Sequence, residues 1–175
     1  MSKKLASSIG ALLTTLLLSS CGMMAGMMGM GDLMGAMKNM DAVMEGMTLE
    51  ERQAHMMTKQ RETLAFGEGL FEEASLGTNG QTCTSCHPGG GTTGGEVQVP
   101  MTDMRLPVPS LVGAAATFPK FKVPNDRVIT LSQMNNNCIK MFMQGKPLEL
   151  NSKEAIALSM YVTSLSNGEQ VGVSN

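Results

Sequence analysis

The stretch Cys83-Thr84-Ser85-Cys86-His87 constrains this chain most, because it asks for a fold built around something other than its own side chains. Two thiols three residues apart, followed at once by an imidazole, suit the C-x-x-C-H arrangement. In it each sulfur adds across one vinyl group of a haem and the histidine falls on the iron. The cofactor implied is one covalently bound haem c, with Cys83 and Cys86 as attachment points and His87 as proximal iron ligand through a neutral imidazole nitrogen. C-x-x-C by itself also serves thiol redox pairs and zinc sites. The poor aromatic content of 3% and the absence of tryptophan fit a core completed by an apolar macrocycle.

The N-terminus speaks of location. Lys3 and Lys4 precede an apolar run, Leu5 to Leu18, that is short for a bilayer span and has the form of an export signal over residues 1–20. Leu18-Ser19-Ser20-Cys21-Gly22 resembles the lipobox of bacterial lipoproteins. That resemblance implies cleavage before Cys21, lipidation of Cys21, and an exported protein anchored in a bacterial membrane, facing the periplasm or the cell surface. Such a mature chain has 175 − 20 = 155 residues and a charge of 11 − 15 = −4, enough for one small domain and a tether. The acidic balance argues against nucleic acid as a partner and suits docking to a redox protein that offers a basic patch.

Residues 21–57 read as a Met/Gly-rich tether, partly helical. Residues 22–57 hold 12 of the 19 methionines, and from Met27 to Met47 the steps between them are 3, 4, 3, 3, 4, 3. That is close to helical spacing and sets a methionine stripe along one side of a helix. Gly26, Gly29, Gly31 and Gly35 oppose the helix at its near end, so Leu33 to Met47 is the expected helical part. Three uses compete for the stripe: an adaptable apolar face for a membrane or partner, a thioether site for cuprous ion, and sacrificial oxidation. Thr48 and Glu51 form the sequence of a capping box.

The main domain is expected over residues 58–170, with 171–175 as a flexible tail. Lys59 to Ala74 reads as an amphipathic helix carrying Leu64, Phe66, Leu70 and Phe71, with Gly69 as the point where another helix crosses closely. Gly77, Asn79 and Gly80 turn the chain into the cysteine motif. Pro88 to Gly95 is a glycine-rich loop, and Pro100, Pro107, Pro109 and Pro119 keep the following residues largely irregular. Asn125 or Asp126 would cap a helix through Val128 to Met141, stopped by Gly145 and Pro147. A last helix starts at Asn151 or Ser152 and carries Ile156, Leu158, Met160, Tyr161 and Leu165. Neither an acid–base pair, a nucleophilic triad nor a phosphate loop is evident, which argues against hydrolase and transferase chemistry; an electron carrier is expected over a catalyst.

Helix, C-x-x-C-H, glycine-rich loop, helix and terminal helix is the order of elements in class I cytochrome c domains, which residues 60–168 resemble. The resemblance implies an all-α fold, its helices wrapped around one covalently bound haem and preceded here by the Met-rich tether. Gly69-Leu70-Phe71 is similar to the family's first-helix contact motif, and Leu158 and Tyr161 to its counterpart on the terminal helix. Pro109-Ser110-Leu111-Val112-Gly113 is similar to the P-x-L-x-G turn. It implies that the Pro109 carbonyl accepts a hydrogen bond from His87 behind the iron. Further on, the segment from Cys138 through Gly145-Lys146-Pro147-Leu148, with Tyr161 to Ser166, resembles sulfur-compound cytochromes such as thiosulfate dehydrogenase. In those relatives the corresponding cysteine is the distal haem ligand.

Counting cysteines leads to the same residue. Cys21 goes to lipid and Cys83 and Cys86 to haem, leaving Cys138 to be buried, ligated or paired with another chain. Met134, Cys138 and Met141 share one helical face, so Met134, Met141 or the nearby Met143 are alternative distal ligands. Methionine would raise the potential and a thiolate would lower it. The expected function is single-electron transfer between extracytoplasmic redox proteins. The alternative is a haem subunit of a sulfur-compound oxidising system, with a sulfur-compound substrate or a second haem subunit as partner.

Overall fold

The computed structural model describes residues 34–168. The signal segment 1–20, Cys21, the first part of the methionine-rich stretch and the tail 171–175 lie outside the described residues. The chain divides into two compact units with the break after Ala54.

In the first unit, residues 34–44 are helical (α1), in the part of the tether where glycine is scarce. Gly46 takes a left-handed conformation (φ 76°) and the Met47 amide bonds back to the Met44 carbonyl at 3.1 Å, closing the helix. A new helix, α2 (Leu49–Glu72), then opens on the expected capping box. The Glu51 amide donates to Thr48 Oγ1 at 3.2 Å and the Thr48 amide donates to Glu51 Oε2 at 2.7 Å. Hydrogen bonds from the Thr48 amide, and after it the Thr48 side chain, hold the Glu51 carboxyl below its ordinary pKa. The helix expected from Lys59 is thus the second half of a 24-residue one, and Ala74 belongs to a 3₁₀ turn, Ala74–Leu76.

In the second unit, α3 (Cys83–Cys86), α4 (Leu131–Met141) and α5 (Lys153–Ser164) are joined by two antiparallel ladders. The proline-rich stretch is therefore not irregular throughout. β1 (Gly95–Gln98) pairs with β2 (Arg105–Val108), and β3 (Lys120–Lys122) with β4 (Arg127–Ile129). Pro107 sits in β2, an edge strand, where the missing N–H costs no ladder bond. Val128 and Ile129, expected in a helix, lie in β4 instead, as β-branched residues favour. The expected cap at Asn125 or Asp126 gives way to a turn in which Asp126 is left-handed (φ 49°). The cap of α4 is Thr130, whose hydroxyl accepts from the Gln133 amide while the Gln133 side chain accepts from the Thr130 amide. Helix α4 ends at Met141, ahead of Gly145. Of the two starts expected for α5, Ser152 is the cap, its hydroxyl accepting from the Ala155 amide at 3.2 Å.

The core joins α2, α4 and α5 through Phe71, Ile139, Met143, Leu158, Tyr161 and Val162. Phe71 and Tyr161 stack with ring centroids 5.1 Å apart, tilted by 54°, a pairing worth about 0.5–1.5 kcal/mol beyond its buried area. The helices meet at Gly67, where an added Cβ would fall on the Ala157 carbonyl. At Gly69, the expected crossing point, nothing lies within 4 Å. The reason is phase: Gly67 precedes Phe71 by one turn on the buried face, whereas Gly69 sits off it.

The two glycines therefore predict opposite outcomes in denaturant unfolding. Gly67→Ala should destabilise by about 3 kcal/mol, at the upper end for overpacking because backbone has to move. Gly69→Ala should stabilise by about 0.5–1 kcal/mol through helix propensity alone.

Candidate haem site

The cysteine motif is a helix of four residues, Cys83–Cys86, too short to persist on its own. A second capping box holds it: Thr82 Oγ1 accepts from the Ser85 amide at 3.0 Å and Ser85 Oγ accepts from the Thr82 amide at 3.1 Å. The i, i+3 spacing then sets Cys83 and Cys86 on one side of the turn. The His87 amide closes the helix on the Cys83 carbonyl at 2.9 Å.

His87 Nδ1 lies 2.9 Å from the Pro109 carbonyl oxygen. A carbonyl only accepts, so the proton sits on Nδ1 and the Nε2 lone pair is left free. Burial pushes the His87 pKa below its ordinary value, against a smaller upward pull from the Pro109 bond. The imidazole is neutral at physiological pH, which is the form that ligates a metal. Pro109 is held in turn by its neighbours. The Leu111 amide donates to the Gly91 carbonyl at 2.8 Å and Ser110 Oγ to the Thr92 carbonyl at 2.9 Å.

Gly89, Gly90 and Gly91 all have positive φ (63°, 64° and 91°), a run that only glycine takes at no steric cost. Tyr161 donates its hydroxyl to the Gly90 carbonyl at 2.8 Å, and Gly91 is packed against Leu165, Leu111 and Phe71. The glycine loop thereby connects the helix core to the Pro109 turn.

Cys138 lies in the third turn of α4, beside the buried Ile139. Protein surrounds it closely enough that burial pushes its thiol pKa up to about 11; the charge of Cys86 raises it further and Lys122 lowers it. Burial pushes Cys83 up to about 12, with added repulsion from Cys138 and Cys86. The three thiols are thus within electrostatic reach of one another, and all three are free. Raised thiol pKa values are the opposite of what a reactive redox pair needs. Among the described residues no three His, Cys, Asp or Glu side chains converge as a zinc site would require. A neutral imidazole with a free Nε2 and a half-buried thiol are instead donor types that suit an iron porphyrin.

The methionine alternatives are placed differently from one another. Met134 is half-buried one turn before Cys138, Met141 is exposed, and Met143 is packed into the core cluster. Lys140 and Lys146 are exposed. Sequence reasoning missed Lys122, the cation nearest in effect to Cys138, because its approach depends on the β3–β4 hairpin. That hairpin is pinned to α4 by a reciprocal amide pair, Asn137 to Asn125 at 2.7 Å and the return bond at 3.4 Å.

Comparison with known proteins decides the family. The model of the SoxA/TsdA cytochrome c domain matches residues 66–171. The chain belongs to this family. Thiosulfate dehydrogenase of Allochromatium vinosum is 32% identical over 95 residues, 54% of this chain and 32% of that protein. In structure, thiosulfate dehydrogenase (TsdBA) of Marichromatium purpuratum in its as-isolated form aligns with a TM-score of 0.53 at 22% identity. It covers 65% of this chain and 24% of that one, a likeness of fold. The chain thus spans about a third of the length of the curated relative it matches. As a SoxA/TsdA cytochrome c domain it carries covalently bound haem c and has a haem-based electron-transfer role.

Ser110→Ala should cost about 1 kcal/mol in denaturant unfolding, since it removes both the bond to Thr92 and the one accepted from the Val112 amide at 3.1 Å. A loss indistinguishable from zero would mean that the Pro109 turn is held without it.

Proposed function

We propose that this SoxA/TsdA cytochrome c domain is a mono-haem electron carrier outside the cytoplasm that serves a sulfur-compound oxidising system. Cys83 and Cys86 hold the haem by thioether bonds, His87 is the proximal ligand and Cys138 the distal one. The observation that carries this reading is His87 with its Nδ1 committed to Pro109; a half-buried Cys138 thiol outside any disulfide, within electrostatic reach of Cys86, supports the second ligand. Bound haem supplies a reversible one-electron couple at iron, and the chain sets its potential and access.

The Pro109 carbonyl keeps the His87 ring from rotating and makes Nε2 more basic. Coordination to iron would compensate the burial cost of the Cys138 thiolate once its proton is released to solvent, and Lys122 would offset part of the negative charge. An anionic sulfur ligand favours the ferric state and lowers the potential relative to methionine, which suits electrons taken from sulfur compounds. A second haem-bearing subunit is proposed as the partner, since the relatives matched are three to four times longer than the aligned part. No helix among the described residues is long and apolar enough to cross a membrane; lipidation of Cys21 is the proposed anchor.

Low-temperature EPR and near-infrared magnetic circular dichroism of the ferric holoprotein test the ligand pair. The expected result is a thiolate signature that disappears in Cys138→Ala, with a rise in midpoint potential. A methionine charge-transfer band unchanged in that variant would overturn the assignment.

A further inference from the structure

The proposed haem site draws on none of the methionines of the first unit. We propose that Met37, Met40 and Met44 form a thioether site for a single cuprous ion.

Three observations lead there. Helix α1 forms over residues 34–44, so at about 100° per residue these three positions fall within an arc of about 60° and about 10.5 Å along the axis. Methionine side chains, with three rotatable bonds each, can converge over that span. Second, the stripe is not core: Met37 is 50% exposed and Met40 54%, and Met44 is half-buried.

Third, the composition separates thioether chemistry from plain apolarity. Across residues 22–57 there are 12 methionines, against two leucines (Leu33 and Leu49), one valine (Val43) and no isoleucine or aromatic residue. A helix that had only to lie on lipid would be served by Leu, Phe and Trp. What methionine adds over those residues is a soft, uncharged sulfur donor, which selects Cu(I) over hard divalent ions. On the same helix Asp41 lies at the edge of the stripe by the same helical arithmetic.

The test is an anaerobic competition between the full-length holoprotein and a chromogenic Cu(I) chelator, comparing wild type with Met37→Leu/Met40→Leu/Met44→Leu. Leucine keeps the helix and its apolar face while removing all three sulfurs, and an unchanged haem spectrum reports an intact cytochrome domain. The wild type should withdraw one equivalent of Cu(I), and the triple variant should bind at least tenfold more weakly. X-ray absorption at the copper edge should show a shell of thioether sulfurs. The proposal is overturned if the wild type fails to compete, or if the variant binds within threefold of it. A thiolate shell abolished by Cys138→Ala would equally overturn it, by placing the copper at the haem-side cysteine.

Discussion

Helices α2 and α5 approach each other across a missing side chain, with the Ala157 carbonyl occupying the space a Cβ on Gly67 would need. That contact brings Phe71 against Tyr161, and from Tyr161 the order passes outward by single bonds. The phenol hydroxyl fixes Gly90, the Gly91 carbonyl fixes Leu111, and the residue two before it, Pro109, fixes the His87 ring. Each link is worth only about 1 kcal/mol, yet the ring orientation depends on all of them in series. A small domain with a sparse aromatic core thus places one imidazole precisely by routing its few large side chains through one crossing.

The electrostatics of the site run in the same direction. Burial disfavours charge on His87, Cys83 and Cys138 alike, with only Lys122 pulling the other way at Cys138. On the proposed reading, thioether bonds at Cys83 and Cys86 and iron ligation at His87 and Cys138 would resolve that arrangement. The polypeptide and its cofactor are complementary in this sense: the fold leaves soft and neutral donors where a porphyrin iron can use them.

Much of this was legible in the residues because it depended on local spacing. The cysteine–histidine motif and the Thr48–Glu51 and Ser152 caps are short-range patterns, and the Pro109 carbonyl meets His87 as the resemblance to class I cytochrome c domains implied. What was misread depended on phase or on pairing. Gly67 and Gly69 differ by two positions, and only the one-turn relation of Gly67 to Phe71 told them apart, a signal present in the sequence but passed over. The two ladders of three and four residues exist through their cross-strand partners, so a run with Pro100, Pro107, Pro109 and Pro119 reads as irregular. Thr130 and Gln133 spelled a capping box that would have moved the start of α4 past Val128 and Ile129. The approach of Lys122 to Cys138 had no local signature at all.

The Tyr161 ring has one more property that follows from its place. It is the single tyrosine of a chain without tryptophan, and it stands where α2, α5 and the glycine loop meet. All ultraviolet emission from the aromatic side chains beyond the weak contribution of phenylalanine therefore comes from one ring at that junction. In the haem-loaded protein, energy transfer to the porphyrin would darken it, and separation of the helices would relight it. The molecule carries its own optical gauge of whether its central crossing is closed.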